Sequence, residues 1–116
     1  MCGIWLCFSS NNGISGNNIT ANKLDGIYLG FSSCNGISGN NITKNRCGIR
    51  LFSSSYNGIS GNNIANNENG IHLNSSSDNS IYHNNFIDNT QQAHSYRPYD
   101  WPWINGWDDG YPSGGN

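Results

Sequence analysis

The chain has 116 residues, a formal net charge of −2 and 10% charged residues, and its 22 Asn, 16 Ser and 15 Gly make up nearly half of it. That length allows one domain or a piece of one. The near-neutral balance lacks the basic footprint of a nucleic-acid or anionic-membrane binder, and no apolar run reaches bilayer-spanning length.

In chain order the first element is Gly3-Ile4-Trp5-Leu6. Ile-x-Leu alternates with period two, so Ile4 and Leu6 face one way from a strand and Trp5 the other. A Ser/Asn corner follows. Then Asn12-Gly13-Ile14-Ser15-Gly16-Asn17-Asn18-Ile19 supplies two more short strands, around Ile14 and Ile19. The unit restarts at Gly26-Ile27-Tyr28-Leu29, Gly48-Ile49-Arg50-Leu51 and Gly70-Ile71-His72-Leu73. The Asn-Gly-Ile motif returns at Asn35, at Asn57 and, more loosely, at Asn79. The spacing is 23 residues between the first two copies and 22 thereafter. The extra residue falls in Lys23-Leu24-Asp25, which reads as a surface turn.

A fixed period of this size means one unit copied and stacked. Four columns point inward: Ile4/Ile27/Ile49/Ile71, Leu6/Leu29/Leu51/Leu73, Ile14/Ile37/Ile59/Ile81 and Ile19/Ile42/Ile64/Phe86. Two Asn columns, Asn17/Asn40/Asn62/Asn84 and Asn22/Asn45/Asn67/Asn89, are predicted to hydrogen-bond from turn to turn. Asn and Gly are also expected to take the left-handed backbone of tight corners. Asn-Gly is a hairpin signal, but hairpins do not require the same residue every 22 positions. A leucine-rich repeat shares the period but needs several spaced leucines per unit. The predicted fold is therefore all-β: a parallel β-helix of about four turns over residues 1–89, starting near residues 3, 26, 48 and 70.

Four cysteines test for disulfides. Cys2 and Cys47 share a column two repeats apart, about 10 Å at the β spacing, which is too far to bridge. Cys7 and Cys34 fall in different columns. Free thiols are predicted, and no Cys-x-x-Cys spacing suggests a metal cluster.

From Thr90 the motif stops, and residues 90–116 form an aromatic, Pro- and Gly-rich tail. Tyr96, Tyr99, Trp101, Trp103, Trp107 and Tyr111 suit a cap over the open end of the coil or the start of a following segment. They also suit a platform for stacking sugar rings. Asp108-Asp109-Gly110 lacks the alternating carboxylates of a calcium loop. At the other end Met1 abuts the first repeat, so a secretion signal lies upstream or the chain is cytoplasmic. The inward aliphatics bury too little surface to offset the backbone entropy alone, and the first turn is uncapped. The chain is thus expected to be an excerpt that is marginally stable or associates end to end.

Gly-Ile-x-Leu followed by Asn-Gly-Ile-Ser-Gly-Asn-Asn-Ile resembles the right-handed parallel β-helix repeats of the NosD-like family. The tail Asn105-Gly106-Trp107-Asp108-Asp109-Gly110-Tyr111-Pro112-Ser113-Gly114-Gly115-Asn116 is similar to the segment that follows such repeats in archaeal surface proteins. The resemblance implies a right-handed coil, an extracellular, cell-surface or periplasmic location, and copper as the family's cofactor. The wider group includes carbohydrate-binding proteins, sugar hydrolases, polysaccharide lyases and uronan epimerases. Fold alone does not select among them.

The residues themselves narrow the choice. Copper ligands would be His72, His83 and His94, but no two of them share a column or an i, i+2 spacing, so no cofactor is evident beyond the family label. Sugar hydrolysis needs paired carboxylates facing one cleft. Asp78 and Asp88 lie in different columns and Asp25 and Glu68 in turns, so no catalytic residue is assigned. Binding residues would be the outward row Trp5, Tyr28, Arg50, His72 and the tail residues Trp101, Trp103 and Trp107. Aromatics stack on sugars and Arg pairs with carboxylates. Asn18, Asn41 and Asn74 stand in glycosylation sequons as a by-product of the Asn-rich repeat. The sequence thus predicts a non-catalytic scaffold or binding module of a secreted or cell-surface protein, with polysaccharide or neighbouring β-helix turns as partners. The alternatives are a fragment of a carbohydrate-active enzyme or of a periplasmic copper-binding protein.

Overall fold

A computed structural model describes residues 1–96 and 104–107. Among the described residues there are thirteen strands, numbered in chain order. The first strand of each turn is β1 (Ile4–Cys7), β4 (Asp25–Gly30), β7 (Cys47–Phe52), β10 (Asn69–Asn74) and β13 (Gln91–Tyr96). The second is β2 (Gly13–Ser15), β5 (Gly36–Ser38), β8 (Gly58–Ser60) and β11 (Ser80–Tyr82). The third is β3 (Asn18–Thr20), β6 (Asn41–Thr43), β9 (Asn63–Ala65) and β12 (Asn85–Ile87). Each set stacks in order as a parallel sheet, one of five strands and two of four. The architecture is a parallel β-solenoid, as the period predicts.

Register follows the sequence columns. Ile4 pairs with Ile27, Ile27 with Ile49 and Ile49 with Ile71. The core is the stack of inward aliphatics, and from Ile27 to Ile81 they are fully buried. Each contributes about 2 kcal/mol. Ile4 and Leu6, in the first turn, are only half-buried.

The polar corners are held by ladders. The backbone N–H and the Nδ2 of Asn40 both donate to Oδ1 of Asn62, at 3.0 and 2.9 Å. The second Nδ2 hydrogen of Asn40 goes to the Ile14 carbonyl of the preceding turn, 2.9 Å away. The same pattern links Asn17 to Asn40, Asn62 to Asn84, and Asn22, Asn45, Asn67 and Asn89 in series. Besides the exposed Asn18, Asn41, Asn63 and Asn85 series, two inner ladders escaped the sequence reading. Asn12, Asn35, Asn57 and Asn79 form a third Asn column, and Ser9, Ser32, Ser54 and Ser76 a hydroxyl column. Among the described residues no buried side-chain N or O atom lacks a partner.

The ladder Asn is not the left-handed residue of its corner. Positive φ falls one position earlier, at Gly16, Gly39, Gly61 and His83 before one ladder and at Ala21, Lys44, Asn66 and Asp88 before another. The amide is retained for its hydrogen bonds, and the strained backbone angle is carried by its neighbour.

Three expectations are corrected. Asp25 is not in a surface turn: it is buried, opens β4 and pairs in register with Cys47. The bulge is confined to residues before it, where the Leu24 carbonyl accepts the N–H groups of Arg46 and Cys47. Second, the coil does not lose its sheet where the motif fades. β13 pairs with β10, with Ala93 in the isoleucine column and Ser95 in the leucine column. Third, Asn105-Gly106 continues the Asn-Gly corner. Asn79 donates to Asn105 Oδ1 at 2.9 Å, and Gly106 bridges Ser80.

The four cysteines are free. Cys7 and Cys34 are exposed, whereas Cys47 is buried and burial pushes its thiol up from 9.0 to about 12. Thiol reagent at pH 8 is expected to modify Cys7 and Cys34 in the native coil and Cys47 only after unfolding, as a time course with and without urea will show. The unfolded thiol ionises near 9.0 while the folded one holds its proton to about 12. Stability therefore falls between those values as pH rises, and Cys47→Ala removes that slope.

Candidate functional site

The outer face of the five-stranded sheet carries the outward row in full register: Trp5, Tyr28, Arg50, His72 and His94. At its N-terminal end Trp5 is 70% exposed and meets Tyr28 edge-on, with ring centroids 6.1 Å apart. The Tyr28 ring lies over Gly30, where an added Cβ would stand 2.8 Å from a ring carbon. Glycine there makes the space that lets the tyrosine lie along the sheet. A groove of about 340 Å³ opens beside the pair, lined by Met1, Cys2, Trp5, Leu24, Asp25 and Tyr28.

Asp25 faces this groove from the adjoining row. Its Oδ1 accepts Arg50 Nε at 2.9 Å. Burial opposes the Arg50 charge, but the carboxylate beside it raises the guanidinium pKa above its ordinary value. Burial and the acidic groups around it likewise raise Tyr28. Arg50, predicted to meet ligand carboxylates, is thus already engaged by one of the chain's own. The pair is diagonal, from the first row of one turn to the second row of the next, which a column-by-column reading does not reveal.

At the other end of the row, His72 and His94 are neighbours. Their rings meet at 4.9 Å and 89°. The expectation that no two histidines share a column is overturned because β13 prolongs the sheet by one strand. Burial chiefly, then Arg50 and His94, lowers the His72 pKa below its ordinary value, which favours the neutral ring. The Gln91 side-chain amide lies 3.1 Å from His94 Nδ1. His83 stands apart, exposed at the corner after β11 with φ 53 and edge-on to Tyr82. Among the described residues no group of three or more His, Cys, Asp or Glu is placed to hold a metal ion.

Trp107 follows Gly106 at the position that Ile14, Ile37, Ile59 and Ile81 hold in earlier turns, and it is 37% exposed. By register it falls in line with that column rather than with the outer row. Trp101 and Trp103 lie outside the described residues. The sequence reading missed one further aromatic group. Phe8 stacks on Phe31 at 5.0 Å and 6°, and Phe31 meets Phe52 edge-on at 5.4 Å. The 23-residue recurrence of Phe8 at Phe31 was its available signal.

Among the described residues Asp25 is the one carboxylate in the strands of this sheet. Asp78 and Asp88 sit at separate left-handed corners. No helix among the described residues is long and apolar enough to cross a membrane.

No curated protein and no solved structure matches the chain. The family described as "Periplasmic copper-binding protein (NosD)" matches residues 1–116, and the chain belongs to that family.

Proposed function

We propose that the chain is a non-catalytic β-helix binding module whose working surface is the outer face of the five-stranded sheet, and that the N-terminal end of this face takes a sugar chain. The observation that carries the reading is the groove beside Trp5 and Tyr28, an exposed indole set edge-on to a second aromatic with a carboxylate at its side. Sugar rings present apolar C–H faces to aromatics and hydroxyls to acceptors. Asp25 offers the acceptor, and Arg50 fixes its orientation rather than pairing with ligand acids. Glycosidic cleavage by two carboxylates requires a second acid across the bond. Among the described residues Asp25 is the one carboxylate in the strands of this face, and its bond to Arg50 supports binding without cleavage. The family's periplasmic description is compatible with contact to polysaccharide outside the cytoplasm.

The family name also implies copper. The described side chains do not form a closed three-ligand site. The two adjoining imidazoles fit only as an open pair.

The sugar reading predicts saturable binding on a panel of neutral and acidic polysaccharides measured by calorimetry. Trp5→Ala and Tyr28→Ala are each expected to weaken it about tenfold, the loss of one aromatic contact of about 1.4 kcal/mol. Variants that bind as the parent does, or a panel with no saturable binding, would remove the reading.

A further inference from the structure

We propose that Asn12-Gly13 is a site of spontaneous covalent modification, at which the Gly13 backbone nitrogen attacks the Asn12 side chain and turns it into aspartate and isoaspartate. Asn12 does not line the groove read as sugar-binding, so the two readings stand apart. Asn-Gly occurs five times, at Asn12, Asn35, Asn57, Asn69 and Asn105. Glycine favours the reaction because no Cβ shields its nitrogen and its backbone turns freely. The five dipeptides are covalently alike, so the fold decides which of them reacts. Cyclisation needs a glycine N–H that is free and an asparagine side chain able to swing onto it. The Gly36 N–H is given to the Asn12 carbonyl at 2.9 Å, the Gly58 N–H to the Asn35 carbonyl at 2.9 Å and the Gly106 N–H to the Asn79 carbonyl at 2.8 Å. Gly70 lies inside β10, which is paired on both sides. Gly13 stands instead on β2, the outer strand of its sheet, and has no described residue in the place of those acceptors.

The side chains differ in the same sense. Asn35 and Asn57 are 2% and 1% exposed. Asn35 Oδ1 accepts two hydrogen bonds from Asn12, and its Nδ2 donates to the Ser9 and Ser33 carbonyls and to Asn57 Oδ1. Asn12 is exposed. Its Nδ2 donates to Asn35 Oδ1 at 3.1 Å and to the Ser10 carbonyl at 3.2 Å, and its Oδ1 accepts from no described residue. Water replaces two exposed bonds at small net cost, in a turn whose Ile4 and Leu6 are only half-buried. Hydroxide takes the Gly13 amide proton, the nitrogen bonds to Asn12 Cγ, and the Cγ–Nδ2 bond breaks with release of ammonia. Water then opens the cyclic imide, at the side-chain carbonyl to give aspartate or at the backbone carbonyl to give isoaspartate. Aspartate sets an acceptor where Nδ2 donated to Asn35 Oδ1. Isoaspartate lengthens the main chain by one carbon at a corner fixed by register. Either product loosens the first turn from the second and leaves the ladder from Asn35 onward intact.

The test ages the folded full chain at pH 8 in heavy-oxygen water and locates the label by peptide mass spectrometry, with aspartate and isoaspartate separated by chromatography. Label at Asn12 is expected to accumulate at least about tenfold faster than at Asn35, Asn57, Asn69 or Asn105, which react through opening of the coil. In urea the five are expected to react at similar rates. Gly13→Ala is expected to slow labelling of Asn12 by about tenfold or more, since the added Cβ shields the nitrogen. That Cβ meets nothing within 4 Å, so the variant is expected to fold, as circular dichroism melts establish. Hydrogen exchange of the converted chain is expected to show protection lost in β1, β2 and β3 and kept in β7 and β10. Equal labelling of Asn12 and Asn35 in the folded chain, no label at Asn12, or a folded Gly13→Ala chain that labels as fast as the parent would each overturn the site. Unchanged protection of β1 to β3 after conversion would overturn the loosening.

Discussion

Asn62→Ala is expected to lower the stability of the coil by about 4 kcal/mol, whereas Asn41→Ala changes it by less than about 0.5 kcal/mol. Both residues sit in turn-to-turn ladders, and the difference lies in burial. Asn62 is 1% exposed. Its Oδ1 accepts two hydrogen bonds from Asn40, and its Nδ2 donates to the Ile37 carbonyl, the Ser60 carbonyl and Asn84 Oδ1. Alanine leaves the Asn40 N–H and the Ile37 carbonyl without their partner in a dry corner. Each orphaned group costs about 1 to 3 kcal/mol. The exposed Asn41 exchanges amide bonds with Asn18 and Asn63 at 2.9 and 2.8 Å, and water replaces them. Urea melts of the two variants beside the parent measure the contrast. Equal losses at the two positions would mean that the buried ladder carries no special share of stability.

The second large effect is expected at Gly48. An added Cβ would stand 2.6 Å from the Gly70 carbonyl, 3.0 Å from Ile64 Cγ2 and 3.2 Å from Asn67 Nδ2. The closest of these is backbone of the next turn, held by the sheet, so it does not swing aside. Gly48→Ala therefore forces two turns apart and is expected to cost about 3 kcal/mol, at the upper end of overpacking. Gly58→Ala meets nothing within 4 Å, and Gly58 has no left-handed φ. Alanine there restricts the unfolded chain alone and is expected to stabilise by about 0.5 kcal/mol. Thermal melts of the two variants are expected to shift in opposite directions. A Gly48→Ala melt that matches the parent would show that the spacing between turns is soft.

The solenoid was legible because its columns repeat in residue type. Ile-x-Leu and the Asn-Gly-Ile motif define which side chains point in, and the register of β1, β4, β7 and β10 follows them. β13 was not legible, because backbone pairing persists where the aliphatic signal does not. Ala93 and Ser95 take inward places without resembling Ile and Leu. That one strand conceals the histidine pair of the outer row, since it brings His94 to His72. Asn105 was hidden for a different reason. It stands 26 residues after Asn79, and the longer connection breaks the count although the ladder bond is kept. Asp25 was misread because an insertion in a repeat signals a loop, whereas here the chain absorbs it before the strand begins.

The buried Asn ladders run one way, each rung giving its backbone N–H and one side-chain N–H to the amide oxygen one turn later. Every junction between turns is therefore chemically the same junction. A tandem duplication of one unit within the gene inserts a turn whose donors and acceptors already match those above and below. Such a protein can change length in evolution by whole turns, without compensating mutations at the new contacts, and a shift of phase is tolerated at corners alone. The 23-residue spacing between the first two units, taken up before β4, is a small instance of that tolerance.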